Sequence, residues 1–476
     1  MKIYNTLLNS RKLEAIAPLD GKTVRIYSCG PTVYDHAHIG NLSAYVFADT
    51  LHRAIDLAGF NVKHVMNYTD IDDKTIRRSN ERYPDDNPRL ALKKLTDEYI
   101  RLFDQDMLSI GNDIQNLTFI RATDPKVIKG MKELIMRLHK KGFAYIADDG
   151  VYFSIEAYRG AGKTYGQLLT INAQNTSEAR IQNDEYDKES IHDFALWKKQ
   201  KPGEPTWEFA LDGVDLTGRP GWHIECSVMS RQSLGQPFDI HTGGVDLIFP
   251  HHENEIAQST ALESDPVMAR IFAHNDHILV DGKKMAKSSK NFYTLADLIK
   301  RGYDPLAFRL KILQSHYRSQ INFTWGSLDA AESLLETLRA WADQKHQKVA
   351  WRGAAASIPY AGALKRLLAA SQDDLNTPKA LSVLSELINQ ADHDGIDEEK
   401  IQPLLNIIDR LLGLQLSDRP DISRTQNDLI ASREQARERK DWTQSDILRE
   451  RLKGQGIIIR DTDKGPIWSR IITFDK

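Results

Sequence analysis

Residues 23–29, TVRIYSC, are β-branched and apolar and predict a strand. Gly30-Pro31-Thr32 breaks it. In the next segment, LSAYVFADTLHRAIDLAG, apolar side chains recur at helical spacing at Tyr45, Ala48, Leu51 and Ile55, and Gly59 ends the predicted helix. VKHVMNYTD (62–70) predicts a second strand. Strand, loop, helix and strand in that order open a parallel α/β sheet. Ligands of such sheets lie beyond the carboxyl ends of the strands. Cys29, His38 and Thr69 are expected at that edge.

Helical patterns run from about 88 to 142. Residues 143–220 mix Gly, Pro and polar runs (GAGKTYG, KQKPGEP) and read as an insertion into the sheet domain. Strand-like patterns return at WHIECSVMS and PFDIHTGG, and a helical one at HHENEIAQSTAL. The stretch 327–414 is almost all helical pattern. Leu328, Ala331, Leu335 and Leu338 make one apolar stripe; Leu404, Ile408 and Leu411 make another. Thr377 and Pro378 predict a helix start, with Thr377 as cap. SDRPDISRTQN (417–427) reads as a linker, followed by a charged helix and a small GIIIRDTDKGPIW unit. No repeat of solenoid period is present.

A chain of 476 residues suggests about three domains. Its 41% hydrophobic and 27% charged residues exclude a disordered or fibrous protein. Lys+Arg 63 against Asp+Glu 66 excludes a histone-like polycation, although local basic faces remain open. Two cysteines, Cys29 and Cys226, are too few for a secreted disulfide scaffold. No signal-type apolar segment opens the chain, and no run of about 18 apolar residues predicts a membrane span. The expectation is a cytoplasmic protein with no membrane partner.

The first chemical signal is PHHENE (250–255). With Pro250 in a first helical turn, His251 and Glu255 stand at i and i+4 on one face. Cys226 lies in WHIEC, and Cys29 ends the first strand. Cys29, Cys226, His251 and Glu255 together make a four-ligand set of the kind zinc accepts. Ligands so far apart cannot form a local finger and would meet only at the sheet's ligand edge. His252 and Glu253 point elsewhere on a regular helix. His38-Ile39-Gly40-Asn41 starts the first helix, where unpaired N–H groups and the dipole suit phosphate. Lys283-Lys284-Met285-Ala286-Lys287-Ser288-Ser289 offers lysines that can reach a triphosphate.

These two motifs resemble the HIGH and KMSKS signatures of the class I aminoacyl-tRNA synthetases. CGPTVYDHAHIGN, NYTDIDDK, GRPGWHIECS, FDIHTGGVDLIFPHHENEIAQS, KKMAKSSKNF, HYRSQINF, DDLNTPKAL and RKDWTQSD resemble, in order along nearly the whole chain, the cysteinyl-tRNA synthetase family. The resemblance implies an α/β fold. A Rossmann-like parallel-sheet catalytic domain (1–117 and 221–282) would be split by a connective insertion (118–220). A lysine-loop and stem-contact region (283–326), a helical bundle (327–416) and an anticodon-binding tail (428–476) would follow. It implies ATP-dependent activation of L-cysteine and transfer to tRNA(Cys), with one Zn²⁺ per subunit, Mg²⁺ with ATP, and a monomer. By position it assigns zinc to Cys29, Cys226, His251 and Glu255, and the amino acid to Gly30, Thr69, Trp222 and His223. ATP falls to His38, Gly40, Asn41, Gly244, Asp246, Lys284, Lys287 and Ser288, with His38, Lys284 and Lys287 stabilising the transition state. Arg437, Trp442 and Asp446 fall on positions that read tRNA.

The chain departs from the family pattern at Asn41, Thr242, Ala286 and Ser289-Lys290-Asn291. Three other readings were weighed: a ligase acting on a small amine, a zinc deaminase and a non-catalytic RNA-binding paralogue. A small-molecule ligase has no use for the tail. The deaminase signature needs a C-x-x-C that the chain lacks. In the tail, an exposed Trp442 amid arginines suits stacking on an unpaired base, while Trp468 is expected in the core.

Overall fold

Five parallel strands form the central sheet: β1 (Thr23–Ser28), β2 (Asn61–Tyr68), β3 (Leu117–Arg121), β4 (Phe238–Gly244) and β5 (Ala269–Asn275). Their order is β5-β4-β1-β2-β3. The chain thus grows from β1 towards β3, then returns to β1's other side as β4. Strand order reverses between β1 and β4, which opens a crevice at their carboxyl ends. The computed structural model describes residues 1–8, 10–168, 193–285, 291–347, 360–394, 398–462 and 465–471.

One face of the sheet is covered by α1 (Ile39–Leu57), whose Leu42, Val46 and Ile55 share a core with Val24, Ile26 and Ile240. The opposite face carries α2 (Trp222–Leu234) and α3 (Glu253–Thr260), packed with Tyr27, Val65 and Phe272. The predicted first two strands and first helix are found. WHIECSVMS, expected as a strand, is instead the body of α2. Residues His223 to Ser230 are all buried, so this helix has no polar face and its short apolar run lacks the helical period. The pattern from 88 to 142 is likewise two helices, Pro88–Ser109 and Pro125–Lys140, with β3 between them. β3 pairs with β2 from His64↔Leu117 to Tyr68↔Arg121 and belongs to the central sheet.

Between β3 and α2 lies an antiparallel sheet of Ala144–Ala147, Gly150–Phe153, Phe194–Lys199 and Gly218–Pro220. After β5 comes a three-stranded sheet of Ile278–Val280, Lys283–Lys284 and Ile321–Phe323. The helices Trp325–Asp343, Tyr360–Gln372, Thr377–Asp394 and Glu398–Leu412 follow, with both predicted apolar stripes buried. Asn376, not Thr377, caps the third: its Oδ1 accepts from Lys379 N–H at 3.1 Å. In the linker region, Ser423 caps a helix that runs Arg424–Glu438. The tail closes with Trp442–Gly454 and a hairpin of Ile457–Thr462 and Gly465–Arg470, in which Trp468 is buried as expected.

Two arginines join α1 to the helical block. Arg309 is fully buried and donates to Asp49 Oδ2 at 2.5 Å, Asn112 Oδ1 at 2.6 Å and the Leu412 carbonyl. Arg53 donates to Asp49 Oδ2 at 2.7 Å and to the Asp409 carbonyl at 3.1 Å. Burial raises the Asp49 carboxyl, but Arg309 and Arg53 outweigh it and hold the group below its usual range.

His64 on β2 is buried, with Nε2 2.7 Å from Ser28 Oγ and Nδ1 3.3 Å from His52 Nδ1. Burial, with a smaller contribution from His52, lowers its pKa to about 3. Against about 6.5 in the unfolded chain, the unfolded state takes up the proton first as pH falls. This histidine therefore costs the fold about 1.4 kcal/mol per pH unit below pH 6.5, until its folded pKa is reached. His64→Gln should flatten the loss of melting temperature between pH 6.5 and 4, as read by calorimetry against the parent; parallel curves would refute the assignment.

Candidate functional site

Cys29 follows β1 at the switch point, and its N–H bonds the Thr242 carbonyl of β4 at 3.1 Å. α2 starts at Gly221, where a Cβ would lie 2.1 Å from the Ala195 carbonyl oxygen, so only glycine permits this approach. Just before it, buried Arg219 pairs with Asp73 and, at 3.3 Å, with Glu204. These contacts fix the helix start that carries Trp222 and Cys226. The regular turns of α3 begin at Glu253, not Pro250; His251 and His252 sit in a wider turn, Ile248–His252. The i, i+4 relation still holds, with His251 Nε2 3.0 Å from Glu255 Oε1.

Cys29 Sγ is 3.9 Å from Cys226 Sγ and 3.8 Å from Glu255 Oε1. The sulfur separation is far beyond a disulfide bond, and both thiols are free. One ligand atom from each of Cys29, Cys226, His251 and Glu255 lies within 4.8 Å of all the others. Burial pushes the Cys29 thiol and the Glu255 carboxyl up and the His251 imidazole down. A divalent cation would offset the burial of charge on such groups. Two sulfurs, one imidazole and one carboxylate are a donor set that fits tetrahedral zinc.

A second layer orients these groups. His223 Nδ1 lies 2.9 Å from His251 Nδ1, which leaves the Nε2 of His251 facing the cluster. His241 Nε2 lies 2.9 Å from Glu255 Oε2, which leaves Oε1 facing the cysteines. His223 was expected in the amino-acid pocket; it sits behind His251 and is not among the residues lining the cleft. His252 was expected to point away, yet its Nε2 is 3.4 Å from Cys29 Sγ. The wider turn before α3 brings it inward. Its Nδ1 meets His274 Nε2 at 2.8 Å, and His274 Nδ1 meets Thr6 Oγ1 at 2.7 Å. Cys29, His241, His252 and Glu255 are thus a second, overlapping group able to hold an ion. Cys29, Cys226 and His251 line the cleft, whereas His241 and His252 do not. The first group is the one open to a ligand. Glu253 points away as expected and accepts from Gly166 N–H at 2.9 Å.

The cleft above this floor holds about 420 Å³. Gly30, Thr69 and Trp222, assigned by resemblance to the amino acid, line it near the cluster. A Cβ at Gly30 would lie 1.8 Å from the Asn67 carbonyl oxygen. Asn67, which the motif reading missed, accepts from Gly30 N–H at 2.9 Å and donates to Thr69 Oγ1 at 3.0 Å. The Trp222 ring stacks on His251 at 4.2 Å. Towards the other end the lining includes His38, Gly40, Asn41, Gly244, Asp246 and Lys284. His38 caps α1: its Nδ1 accepts from Asn41 N–H at 3.2 Å, and Asn41 Oδ1 accepts from His38 N–H at 3.3 Å. This reciprocal box gives the unusual Asn41 a backbone role. A Cβ on Gly40 would lie 2.4 Å from Met285 Cε, so Met285 packs directly on the α1 start. Lys287 and Ser288 lie outside the described residues.

In the tail, Trp442 is 57% exposed and Asp446 is exposed one turn later on the same helix. Arg437 is not a free cation: it pairs with Asp461 at 3.1 Å and stands 5.7 Å from the Trp442 ring. Asp461, also missed, is gripped by buried Arg433 through two 2.7 Å bonds.

Comparison with known proteins agrees with this layout. Residues 15–333 match the tRNA synthetases class I (C) catalytic domain, 368–416 a DALR domain, and 419–468 the cysteinyl-tRNA ligase anticodon binding domain. A cysteine–tRNA ligase of Leptospira interrogans serogroup Icterohaemorrhagiae serovar copenhageni is 39% identical over 490 residues, covering 99% of each chain. One from Chlamydia trachomatis serovar A is 39% identical over 495 residues, covering 97% of this chain and 98% of that one. Among solved structures, Mycobacterium tuberculosis methionyl-tRNA synthetase with methionyl-adenylate superposes at TM-score 0.60 and 12% identity, over 83% of this chain and 93% of that one. The Agrobacterium radiobacter LeuRS–tRNA complex does so at 0.60 and 11%, over 83% and 84%. The structures share the fold; on the full-length sequence match, this chain belongs to the cysteine–tRNA ligase family of class I tRNA synthetases.

Proposed function

We propose that the chain is a cysteine–tRNA ligase that activates L-cysteine with ATP and transfers it to tRNA(Cys). The observation that carries this reading is the sulfur-containing metal-capable group on the floor of a cleft whose far end is the α1 N-terminus. The substrate's side chain meets the floor while its carboxylate reaches towards the phosphates.

In the first step the cysteine carboxylate attacks the α-phosphate of ATP, giving cysteinyl-adenylate and pyrophosphate. In the second, a terminal hydroxyl of the tRNA attacks the acyl carbon and releases AMP. The chain's residues act mainly by positioning and by stabilising phosphate charge. Gly30 and Thr69, held by Asn67, border the amino acid, and Trp222 covers it. Gly244 and Asp246 border the nucleoside. Exposed Lys284 reaches the phosphates with His38, and family position assigns Lys287 and Ser288 to the same role. Mg²⁺ accompanies ATP.

Zn²⁺ held by Cys29, Cys226, His251 and Glu255 would supply a centre that takes a thiolate as a further ligand and discriminates against a hydroxyl. Shape alone typically separates near-isosteres by only ~10–200-fold. His223 and His241 hold the ligating atoms in aim. Arg437, Trp442 and Asp446 engage the anticodon, and Asp461 joins them at the same surface. This tail favours tRNA over a small amine as acceptor. Two free thiols suit a reducing cytosol, and the chain is taken as a monomer.

Elemental analysis should find one zinc per chain, and Cys226→Ser should weaken its retention ~10-fold or more. ATP–pyrophosphate exchange should depend on cysteine and ignore serine; a cysteine preference that survives removal of the metal would refute metal-based selection. Trp442→Ala should raise the Kd for tRNA(Cys) ~10-fold, the scale of one stacked base. Unchanged affinity would remove Trp442 from the RNA surface.

A further inference from the structure

Two of the motifs that mark this chain, HYRSQINF and DDLNTPKAL, carry no role in the chemistry above. They meet at one carboxylate. Asp374 stands in the connector between the helices Tyr360–Gln372 and Thr377–Asp394. Its side chain is 5% exposed. Oδ1 accepts from Tyr4 N–H at 2.8 Å and from the Tyr317 hydroxyl at 2.7 Å. Oδ2 accepts from Arg318 Nε at 2.8 Å and Nη2 at 2.5 Å, with His316 Nε2 3.6 Å away. Asp374 and Leu375 have φ of 58° and 51°, a backbone region that L residues rarely hold in succession. The connector holds this shape while its carboxylate gathers Tyr4 and the 316–318 turn.

That turn is one residue away from the cleft. The Tyr317 carbonyl accepts from Asp276 N–H at 2.8 Å, and the His277 carbonyl accepts from Ile321 N–H at 3.1 Å. Asp276, His277 and Ile278 line the cleft. Ile278–Val280 then pairs with Ile321–Phe323 on one side and with Lys283–Lys284 on the other, in the register Leu279↔Lys284. The Tyr317 ring stacks on Phe47 of α1 at 4.6 Å and 14°, and Arg318 lies over the Tyr4 ring at 4.6 Å. A continuous set of short bonds therefore runs from Asp374, through Tyr317, to the cleft wall and the strand that presents Lys284.

We propose that Asp374 is a positioning residue for ATP. By holding Tyr317 and Arg318 it sets the height of the Asp276–Ile278 wall and of the Lys284 strand against the α1 N-terminus. The helical block is thereby a structural part of the nucleotide site. This rests on the reading of the cleft as an ATP site. It extends that reading to a residue that does not itself line the cleft.

The test is ATP affinity, measured by isothermal titration calorimetry on the full chain. Asn at position 374 has one acceptor oxygen where the carboxylate has two, so it cannot hold the whole donor set. Asp374→Asn should raise the Kd for ATP ~10-fold, in line with the sensitivity of phosphate positioning to small displacements. Tyr317→Phe keeps the stack on Phe47 and loses one bond; it should raise the Kd a few-fold. Kd for cysteine and metal content should stay at the parental values in both. Parental ATP affinity in both variants overturns the proposal. So does a rise in cysteine Kd parallel to that for ATP, which marks general loosening. If Asp374→Asn does not fold, Tyr317→Phe decides by the same two criteria. Cysteine-dependent pyrophosphate exchange by the parent tests the underlying reading separately, because the ATP Kd ratio does not depend on which amino acid is activated.

Discussion

The site depends on the junction of β1 and β4. Strand order reverses there, so the helices that follow leave on opposite faces and a crevice opens between them. A single backbone bond, from Cys29 N–H to the Thr242 carbonyl, fixes the first thiol at the bottom of that crevice. The α1 N-terminus forms one wall, and α2 and α3 supply the remaining ligand atoms from the opposite face. Without the reversal, Cys29 and Glu255 would have no common space, and His38 would have no cleft to line.

Burying that many polar groups together is costly unless each finds a partner. The structure meets this with a second layer of imidazoles. His223 backs His251, His241 backs Glu255, and His252, His274 and Thr6 continue the chain of bonds to the edge of the sheet. Each backing contact occupies the far atom of a candidate ligand and leaves the near one directed at the cluster. Burial lowers the pKa of His223 and of His274 to about 3, so both work here as neutral rings.

The helical block is joined to the sheet domain around two carboxylates of low exposure, Asp49 and Asp374, and through the Leu412 and Asp409 carbonyls that Arg309 and Arg53 reach. Arg309 and Arg53 converge on Asp49 of α1, while Arg318 and Tyr317 converge on Asp374 of the block. The Arg309–Asp49 pair, buried on both sides, adds little net stability over an apolar contact, but removing one partner is expensive; at Asp374 the carboxylate is buried while Arg318 is partly in solvent. The two carboxylates specify geometry: one holds the middle of the helix that begins at His38, the other holds the strand that ends at Lys284. The tail uses the same device, with Arg433 gripping Asp461 and Asp461 holding Arg437 beside Trp442.

Periodicity determined β1, α1, β2 and the stripes of the helical block; motif spacing offered the four metal-capable side chains, and the family resemblance marked Trp442. Each carries its signal locally: alternation, a 3.6-residue period, a glycine stop or a rare residue type at a short spacing. The tertiary structure decided the rest. WHIECSVMS is a helix because it is buried all round, and burial on every side erases the polar face from which a helix is read. His252, His241, Asn67 and Asp374 matter through partners up to several hundred residues away, as Tyr4 and Asp374 show across 370 positions. A hydrogen bond between such residues depends on where their backbones converge in space, and no local pattern in either segment encodes that distance.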